Sequence, residues 1–228
     1  MLAAFDRGLR VVVEWLHARV GTVKQPGWFR AGLFIAALIP LLVAFGALGS
    51  DLVMGTRWFG SNPIKQAEHF LGEWTLRLLM FTVAITPLRR LTGWNWLAKH
   101  RRTLGLFAFA YVATHFLVWG LLDVQLDWPE LVKDLTKRPY IVIGFIAFLM
   151  MTALAVTSTQ NAIRSMKQRW NKLHRLVYVI VALGLVHFLM AVKRDIEDPL
   201  IFAAVFAGIF LLRWRLTRSE WSAVRTTA

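Results

Sequence analysis

Apolar stretches alternate with short polar breaks along the chain from about residue 30 onward. Most of them are long enough to cross the hydrocarbon core of a bilayer, which takes about 20 residues with a range of roughly 17–25. The stretch 71–88 contains Glu73 and Arg77, and the short last stretch is followed by Arg213 and Arg215, which can snorkel to the interface. The pattern therefore predicts six membrane helices, over 31–48, 71–88, 103–122, 140–157, 173–192 and 199–212.

Composition excludes a single soluble domain. Of the 228 residues, 57% are hydrophobic and 18% are charged, whereas soluble domains carry about 25% charged residues. The chain has no cysteine. Disulfides, thiolate iron–sulfur clusters, cysteine zinc sites and thiol redox relays are therefore excluded, and any redox chemistry must use other ligands.

The charge distribution predicts the orientation of these helices. A net charge of +14 would first indicate nucleic-acid binding. However, alternate connections carry +16 on one side of the predicted bundle and −2 on the other, and basic residues flanking membrane segments on one side follow the positive-inside rule. We therefore predict an all-α integral membrane protein with six transmembrane helices, both termini cytoplasmic, and no nucleic-acid partner.

Three segments follow from this topology. Residues 1–28 show apolar positions at helical spacing, which is typical of a cytoplasmic or interfacial amphipathic helix on the inner leaflet; a poorly ordered extension is the alternative. Residues 29–214 form the six-helix domain, and 215–228 form a cytoplasmic tail. The outer loops are too short to fold as an enzyme domain, so the function lies inside the bundle or in the docking of a partner.

Two histidines lie deep inside predicted membrane helices, where an ionisable residue is costly and marks a functional site. His115 lies roughly 18 Å and His187 roughly 21 Å along their helices from the cytoplasmic ends, at 1.5 Å per residue. Both helices run outward, so the two imidazoles sit at nearly the same depth in the outer half of the membrane. Two such neutral imidazoles are typical axial ligands of a haem iron. The alternative is that each histidine makes a hydrogen bond between helices.

A second, inner site is a weaker hypothesis from the residues. His174 lies roughly 20 Å below His187 on the same helix and on another face, so one planar cofactor would not use both. Its partner would be His100, or it would act alone, or it would face Arg101. The competing interpretation is a histidine at headgroup level in a basic loop.

Other charged residues have plainer interpretations. Arg77 pairs with Glu73 at i,i+4, a spacing that favours mutual neutralisation; the alternative is that Arg77 holds a haem propionate. The basic residues of 164–172 follow the positive-inside rule, and their other possible role is to bind a flavin phosphate or a soluble electron donor.

Several motifs together resemble one family. The chain resembles the MsrQ (YedZ) family of haem-binding membrane subunits, within the ferric-reductase-like transmembrane superfamily, over about residues 32–213. The residues that carry the resemblance are Asn62-Pro63, His69-Phe70-Leu71-Gly72, Thr86-Pro87-Leu88-Arg89, Arg101-Arg102-Thr103-Leu104-Gly105-Leu106, His115, Arg138-Pro139-Tyr140, Thr157-Ser158-Thr159, Trp170-Asn171-Lys172-Leu173-His174 and His187-Phe188.

This resemblance implies a b-type cytochrome of the bacterial inner membrane. It would pass electrons from the quinol pool or a cytoplasmic flavin reductase to MsrP, the periplasmic molybdopterin-dependent methionine sulfoxide reductase that repairs oxidised methionine. Haem b and FMN are the implied cofactors. His115 and His187 are the implied haem ligands and His174 a third, whereas Arg101 stands where relatives with two bis-histidine sites have a histidine.

Two other functions are weighed against this one. A ferric or other metal reductase of the same superfamily is expected to carry a cytoplasmic flavin- and nucleotide-binding domain, for which the tail is too short. A transporter or a non-redox membrane scaffold would use the histidines for packing and would be colourless after purification.

Overall fold

The computed structural model describes the backbone of residues 2–21, 23–192 and 196–226, and the side chains of 8–9, 11–21, 23–192 and 196–218. All regular structure in these residues is helical. Residues 193–195, in the short break between the predicted helices 173–192 and 199–212, lie outside the described residues, as does the side chain of Phe5, one of the apolar positions of the predicted amphipathic segment 1–28. The helices are α1 (Leu2–Val20), α2 (Phe29–Met54), α3 (Pro63–Thr92), α4 (Arg101–Val118), α5 (Trp128–Lys137), α6 (Pro139–Val156), α7 (Gln160–Met166), α8 (Gln168–Leu173), α9 (Val177–Ala191) and α10 (Glu197–Thr226).

Among the residues that the structure describes, five helical segments have the length and apolar character of membrane spans, which makes this a multi-pass membrane protein. They are Phe29–Met54, Asn95–Asp123, Pro139–Val156, Gln168–Ala191 and Glu197–Arg218. The sixth predicted stretch lies within α3, whose Glu73 and Arg77 lower its hydropathy. At 1.5 Å per residue, the 30 residues of α3 extend about 45 Å, which is longer than a bilayer core. Its crossing of the membrane remains a prediction.

Helix α3 is at the centre of the bundle. It packs most extensively on α4 and also contacts α1, α2, α9 and α10. Local sequence defines its ends: the side chain of Asn62 accepts a hydrogen bond from the backbone N–H of Lys65, and Gly93 takes a left-handed φ of 76° while its N–H donates to the Arg89 carbonyl. Tyr111 of α4 has no exposed surface, and its hydroxyl donates to the Ala37 carbonyl of α2 at 2.8 Å. This bond joins α2 to α4 through a buried phenol.

Helix α1 is docked on the bundle. The His17 ring contacts the Arg90 carbonyl at 2.8 Å, and the Trp94 indole donates to the Val20 carbonyl at 2.7 Å. Its outward side keeps apolar side chains, with Val12 half exposed and Trp15 56% exposed. A docked helix with an exposed apolar side has the form expected of an interfacial segment.

The chain contains helices that the hydrophobic pattern did not predict. Helix α5 lies in the predicted outer loop, where Trp128 and Val132 are exposed and Asp134 is buried. Hydrogen bonding to Lys133 lowers the pKa of Glu130 on its outward side. The connection after α6 forms the short helices α7 and α8, and α10 continues to Thr226 rather than ending near residue 212. A π-helical turn, Trp119–Asp123, follows α4; such turns occur frequently at functional sites.

Candidate functional site

The candidate site is a cavity of about 600 Å³ between α3, α4, α6 and α9. This volume is within the range of about 300–1,000 Å³ that is usual for ligand and cofactor sites. Its walls are mainly apolar and aromatic, and the Phe116 and Phe148 rings stack on one side with centroids 4.7 Å apart. The four helices thus line a mainly apolar space that suits a large apolar ligand.

His115 and His187 meet in this cavity. Their ring centroids are 6.3 Å apart and their planes are perpendicular, at 89°. The sequence predicts that the two rings lie at nearly the same depth. In the structure they also lie directly beside each other. Metal–nitrogen bonds are about 2 Å long, so this separation leaves room for one metal ion bound by a nitrogen of each ring.

Main-chain carbonyls orient both imidazoles. His115 Nδ1 lies 2.8 Å from the Glu68 carbonyl oxygen of α3, and His187 Nδ1 lies 2.7 Å from the Tyr140 carbonyl oxygen of α6. An N–H donated from Nδ1 to a carbonyl fixes the tautomer in which Nε2 carries the lone pair, the arrangement found in most metal-binding histidines. Both rings are therefore prepared to use Nε2 as a ligand.

Two glycines bring helix backbones close to these rings. A methyl group on Gly144 of α6 would lie 2.6 Å from His187 Nδ1, and one on Gly72 of α3 would lie 3.6 Å from the His115 ring. Only the first distance is shorter than side chains tolerate. Glycine at position 144 is therefore required for His187 to lie where it does.

Cationic and polar residues surround one end of the cavity. Lys65, His69 and Arg138 line it there. Lys65 bridges the carboxylates of Glu68 and Asp123, and Arg138 pairs with Asp134 of α5 at 3.2 Å. The sequence analysis did not identify Lys65 or Arg138 as site residues. This end therefore places cationic side chains, each paired with nearby carboxylates, next to an apolar interior.

Arg77 does not line this cavity. Its guanidinium pairs with Glu73 at 2.8 Å and lies over the rings of Trp74 and Phe202, at 5.3 and 5.5 Å. The mutual neutralisation that the i,i+4 spacing predicts is present. Arg77 therefore faces α10, while Glu73 is one of the residues that line the cavity.

The residues of the predicted inner site lie apart from this cavity. The His174 ring stacks on Trp170 with centroids 3.8 Å apart, and its nitrogens contact the Trp170 carbonyl at 3.1 Å and the Ser158 hydroxyl at 3.4 Å. His100 is buried elsewhere, edge-on to Phe29 at 5.1 Å. Which of the three arrangements that the sequence left open is present stays a prediction.

The part of the chain that the structure describes contains no group of three or more His, Asp or Glu side chains placed to hold a metal ion. A metal site built from protein side chains alone is therefore not seen in it. Two imidazoles on opposite sides of an apolar space instead suit a metal whose other positions are filled by a macrocycle.

Comparison with known proteins identifies the family. The ferric reductase like transmembrane component matches residues 71–185, a range that includes His115 and ends two residues before His187. A protein-methionine-sulfoxide reductase heme-binding subunit MsrQ from Herminiimonas arsenicoxydans is 47% identical over 184 residues, covering 79% of this chain and 82% of the relative. The chain belongs to the MsrQ family.

Other MsrQ proteins agree with this assignment. The heme-binding subunit MsrQ of Xanthomonas campestris pv. campestris (strain 8004) is 40% identical over 199 residues, covering 87% of this chain and 90% of its own length. The MsrQ of Azospira oryzae is 44% identical over 197 residues, covering 86% and 81%. The resemblance drawn from the motifs is therefore confirmed, and the similarity extends over most of both chains.

Proposed function

We propose that this chain is a membrane b-type cytochrome with His115 and His187 as the axial ligands of one haem. The observation that carries the proposal is the pair of rings 6.3 Å apart, each oriented through Nδ1 by a helix carbonyl. The cavity volume, its apolar walls and the close approach of Gly144 to His187 all agree with a flat ligand inserted between the two rings. The names of the MsrQ relatives support the same cofactor.

The protein's own residues then have defined roles. His115 and His187 hold the iron, and the aromatic walls keep water from it. Lys65, His69 and Arg138 stand at the end of the cavity where propionate carboxylates would be neutralised; Arg77 is a weaker candidate for that role, because it does not line the cavity. A haem bound here supplies a one-electron redox couple whose potential depends on its axial ligands and burial.

In the cell, we infer that the chain passes electrons across the bacterial inner membrane to the periplasmic molybdopterin enzyme MsrP, which repairs oxidised periplasmic proteins. The donor is the quinol pool or a cytoplasmic flavin reductase. The asymmetry of +16 against −2 in the connections supports six spans with both termini cytoplasmic. In that orientation the charged end of the cavity opens toward the periplasm, the side on which the partner would dock.

The route from the inner surface requires a second element. The candidates are an inner cofactor at His174, with Arg101 or His100 as its other contact, or FMN bound by the basic residues of 164–172. The basic connection after α7 bounds a second cavity, of about 700 Å³, lined by Lys167, Arg169 and Lys172 among others.

Absorption spectroscopy of purified variants tests the haem assignment. His115→Ala and His187→Ala should each lose most of the Soret absorbance and of the haem measured as pyridine haemochrome. His17→Ala, which removes an imidazole far from the cavity, should keep both. Full haem content in both cavity variants would refute the assignment. The direction of electron flow is tested separately. Purified MsrP should reoxidise the reduced protein faster than the protein is reoxidised in air-free buffer alone.

A further inference from the structure

Helix α5 is amphipathic, but its apolar side is not the side through which it packs. At about 100° per residue, Trp128, Val132 and Leu135 fall within about 60° of arc and form one stripe along the helix. These three side chains are 75%, 58% and 40% exposed, whereas Asp134 on another side of the helix is 1% exposed. The helix therefore buries a carboxylate against the bundle, and the described part of the chain leaves its apolar stripe uncovered.

The charged side chains of α5 lie opposite this stripe. Glu130, Lys133 and Lys137 are about 140–200° round the helix from Trp128. Lys133 pairs with Glu130 at 2.7 Å, so these two charges neutralise each other on the polar side. An exposed helix with apolar side chains on one side and charges on the other is typical of helices that lie along a membrane surface.

The stripe continues the lipid-facing surface of the neighbouring membrane spans. Helix α5 connects two of these spans, Asn95–Asp123 and Pro139–Val156, and packs on the second. Apolar side chains are about half exposed near the end of the first span, at Leu117 and Leu121, and in the second, at Leu149. In a multi-pass membrane protein such side chains face the bilayer. A helix that connects the ends of two spans lies near the boundary between hydrocarbon and headgroups, where tryptophan is enriched.

The size of the stripe disfavours a protein as its occupant. The ten residues of α5 extend about 15 Å, and the stripe consists of three side chains. A stable protein interface takes roughly 20–30 residues and about 800 Å² on each side. A lipid surface needs no such area at the stripe itself, because the adjoining spans already contact the bilayer.

We propose that α5 is a membrane-surface helix, with the stripe of Trp128, Val132 and Leu135 inserted at the boundary between headgroups and acyl chains. Its charged side faces water. Leu135 also borders the histidine cavity, as does Arg138 directly after the helix. The bilayer surface then fixes the position of this part of the cavity wall. The proposal goes beyond the haem assignment and does not rest on it.

Spin-label electron paramagnetic resonance tests the proposal on the full chain in vesicles of phosphatidylethanolamine and phosphatidylglycerol. The chain has no cysteine, so Val132→Cys provides a single labelling position. Lys133→Cys is the matched control, because it is the next residue but lies on the charged side, and both side chains are exposed. Oxygen concentrates in hydrocarbon, whereas a nickel chelate stays in water. The ratio of oxygen to nickel collision rates should be severalfold higher at position 132 than at position 133.

Two results would overturn the proposal. A collision ratio at position 132 that does not exceed the ratio at position 133 would show that the stripe is not inserted in the bilayer. Protection of position 132 from both reagents would show that protein covers it, and spin–spin broadening that disappears on dilution with unlabelled chain would identify that protein as a second copy. Since neither haem absorbance nor electron transfer is measured, failure of the His115–His187 assignment would not affect this outcome.

Discussion

Replacing Gly144 by Ala tests the geometry of the cavity without removing either histidine. The added methyl would lie 2.6 Å from His187 Nδ1 and 2.8 Å from Cε1, whereas ordinary contacts are 3.4–4 Å. The His187 ring must therefore move by about 1 Å, and its hydrogen bond to the Tyr140 carbonyl, 2.7 Å long, is lost or lengthened. Overpacking of this kind costs about 1–3 kcal/mol, which exceeds the helix-propensity gain of about 0.5–1 kcal/mol for replacing glycine by alanine. Loss of the orienting bond typically lowers metal affinity about 10–100-fold.

The assay is the ratio of haem to protein after purification, together with the thermal midpoint of the haem-free protein. Gly144→Ala should purify with much less haem and a lower midpoint. Gly46→Ala is the control, because a methyl group at this exposed position of α2 has no neighbour within 4 Å. A Gly144→Ala protein with parental haem content and an unchanged spectrum would refute the placement of His187 in this cavity.

Three further predictions use other parts of the chain. Tyr111→Phe should lower the free energy of unfolding by about 1 kcal/mol, because the hydrogen bond to the Ala37 carbonyl is lost. The measurement is the thermal midpoint in detergent, which should fall. An unchanged midpoint would contradict a structural role for this hydrogen bond. Lys65→Met should also lower the free energy of unfolding, because Glu68 and Asp123 lose their shared cation. The expected loss is about 1 kcal/mol, since the Lys65 side chain is partly exposed. Equal stability of the variant and the parent protein would show that these ion pairs contribute nothing. Alkaline phosphatase fused after Ala228 should be inactive, and an active fusion would place the C-terminus in the periplasm.

Hydrophobic patterning could predict most of the helices because membrane helices need long apolar runs that stand out in any sequence. The depth of His115 and His187 in the membrane could be calculated once the helix ends were predicted, because the rise per residue of a helix is fixed. Their role as ligands stays a prediction. The pattern was less informative for α3, because a helix surrounded by other helices can carry Glu73 and Arg77 when they neutralise each other.

The features that sequence reasoning missed depend on contacts between distant residues. Lys65 and Asp123 are 58 positions apart, and nothing local links them. Helix α5 is short and amphipathic; a signal was present in Pro129 near its start and in the spacing of Leu131, Asp134 and Leu135, but the segment was interpreted as a loop. The requirement for glycine at position 144 exists only because α9 brings His187 against α6.

The acceptors that orient the two imidazoles belong to the main chain, so their presence does not depend on the side chains at positions 68 and 140. Any amino acid at either position still offers a carbonyl oxygen. Most point mutations at positions 68 and 140 should therefore leave the ring orientations unchanged. Insertions or deletions in α3 or α6 should change them, because they would rotate the carbonyl away from its histidine. Across homologues, helix register rather than residue identity at these two positions is the property on which selection would act.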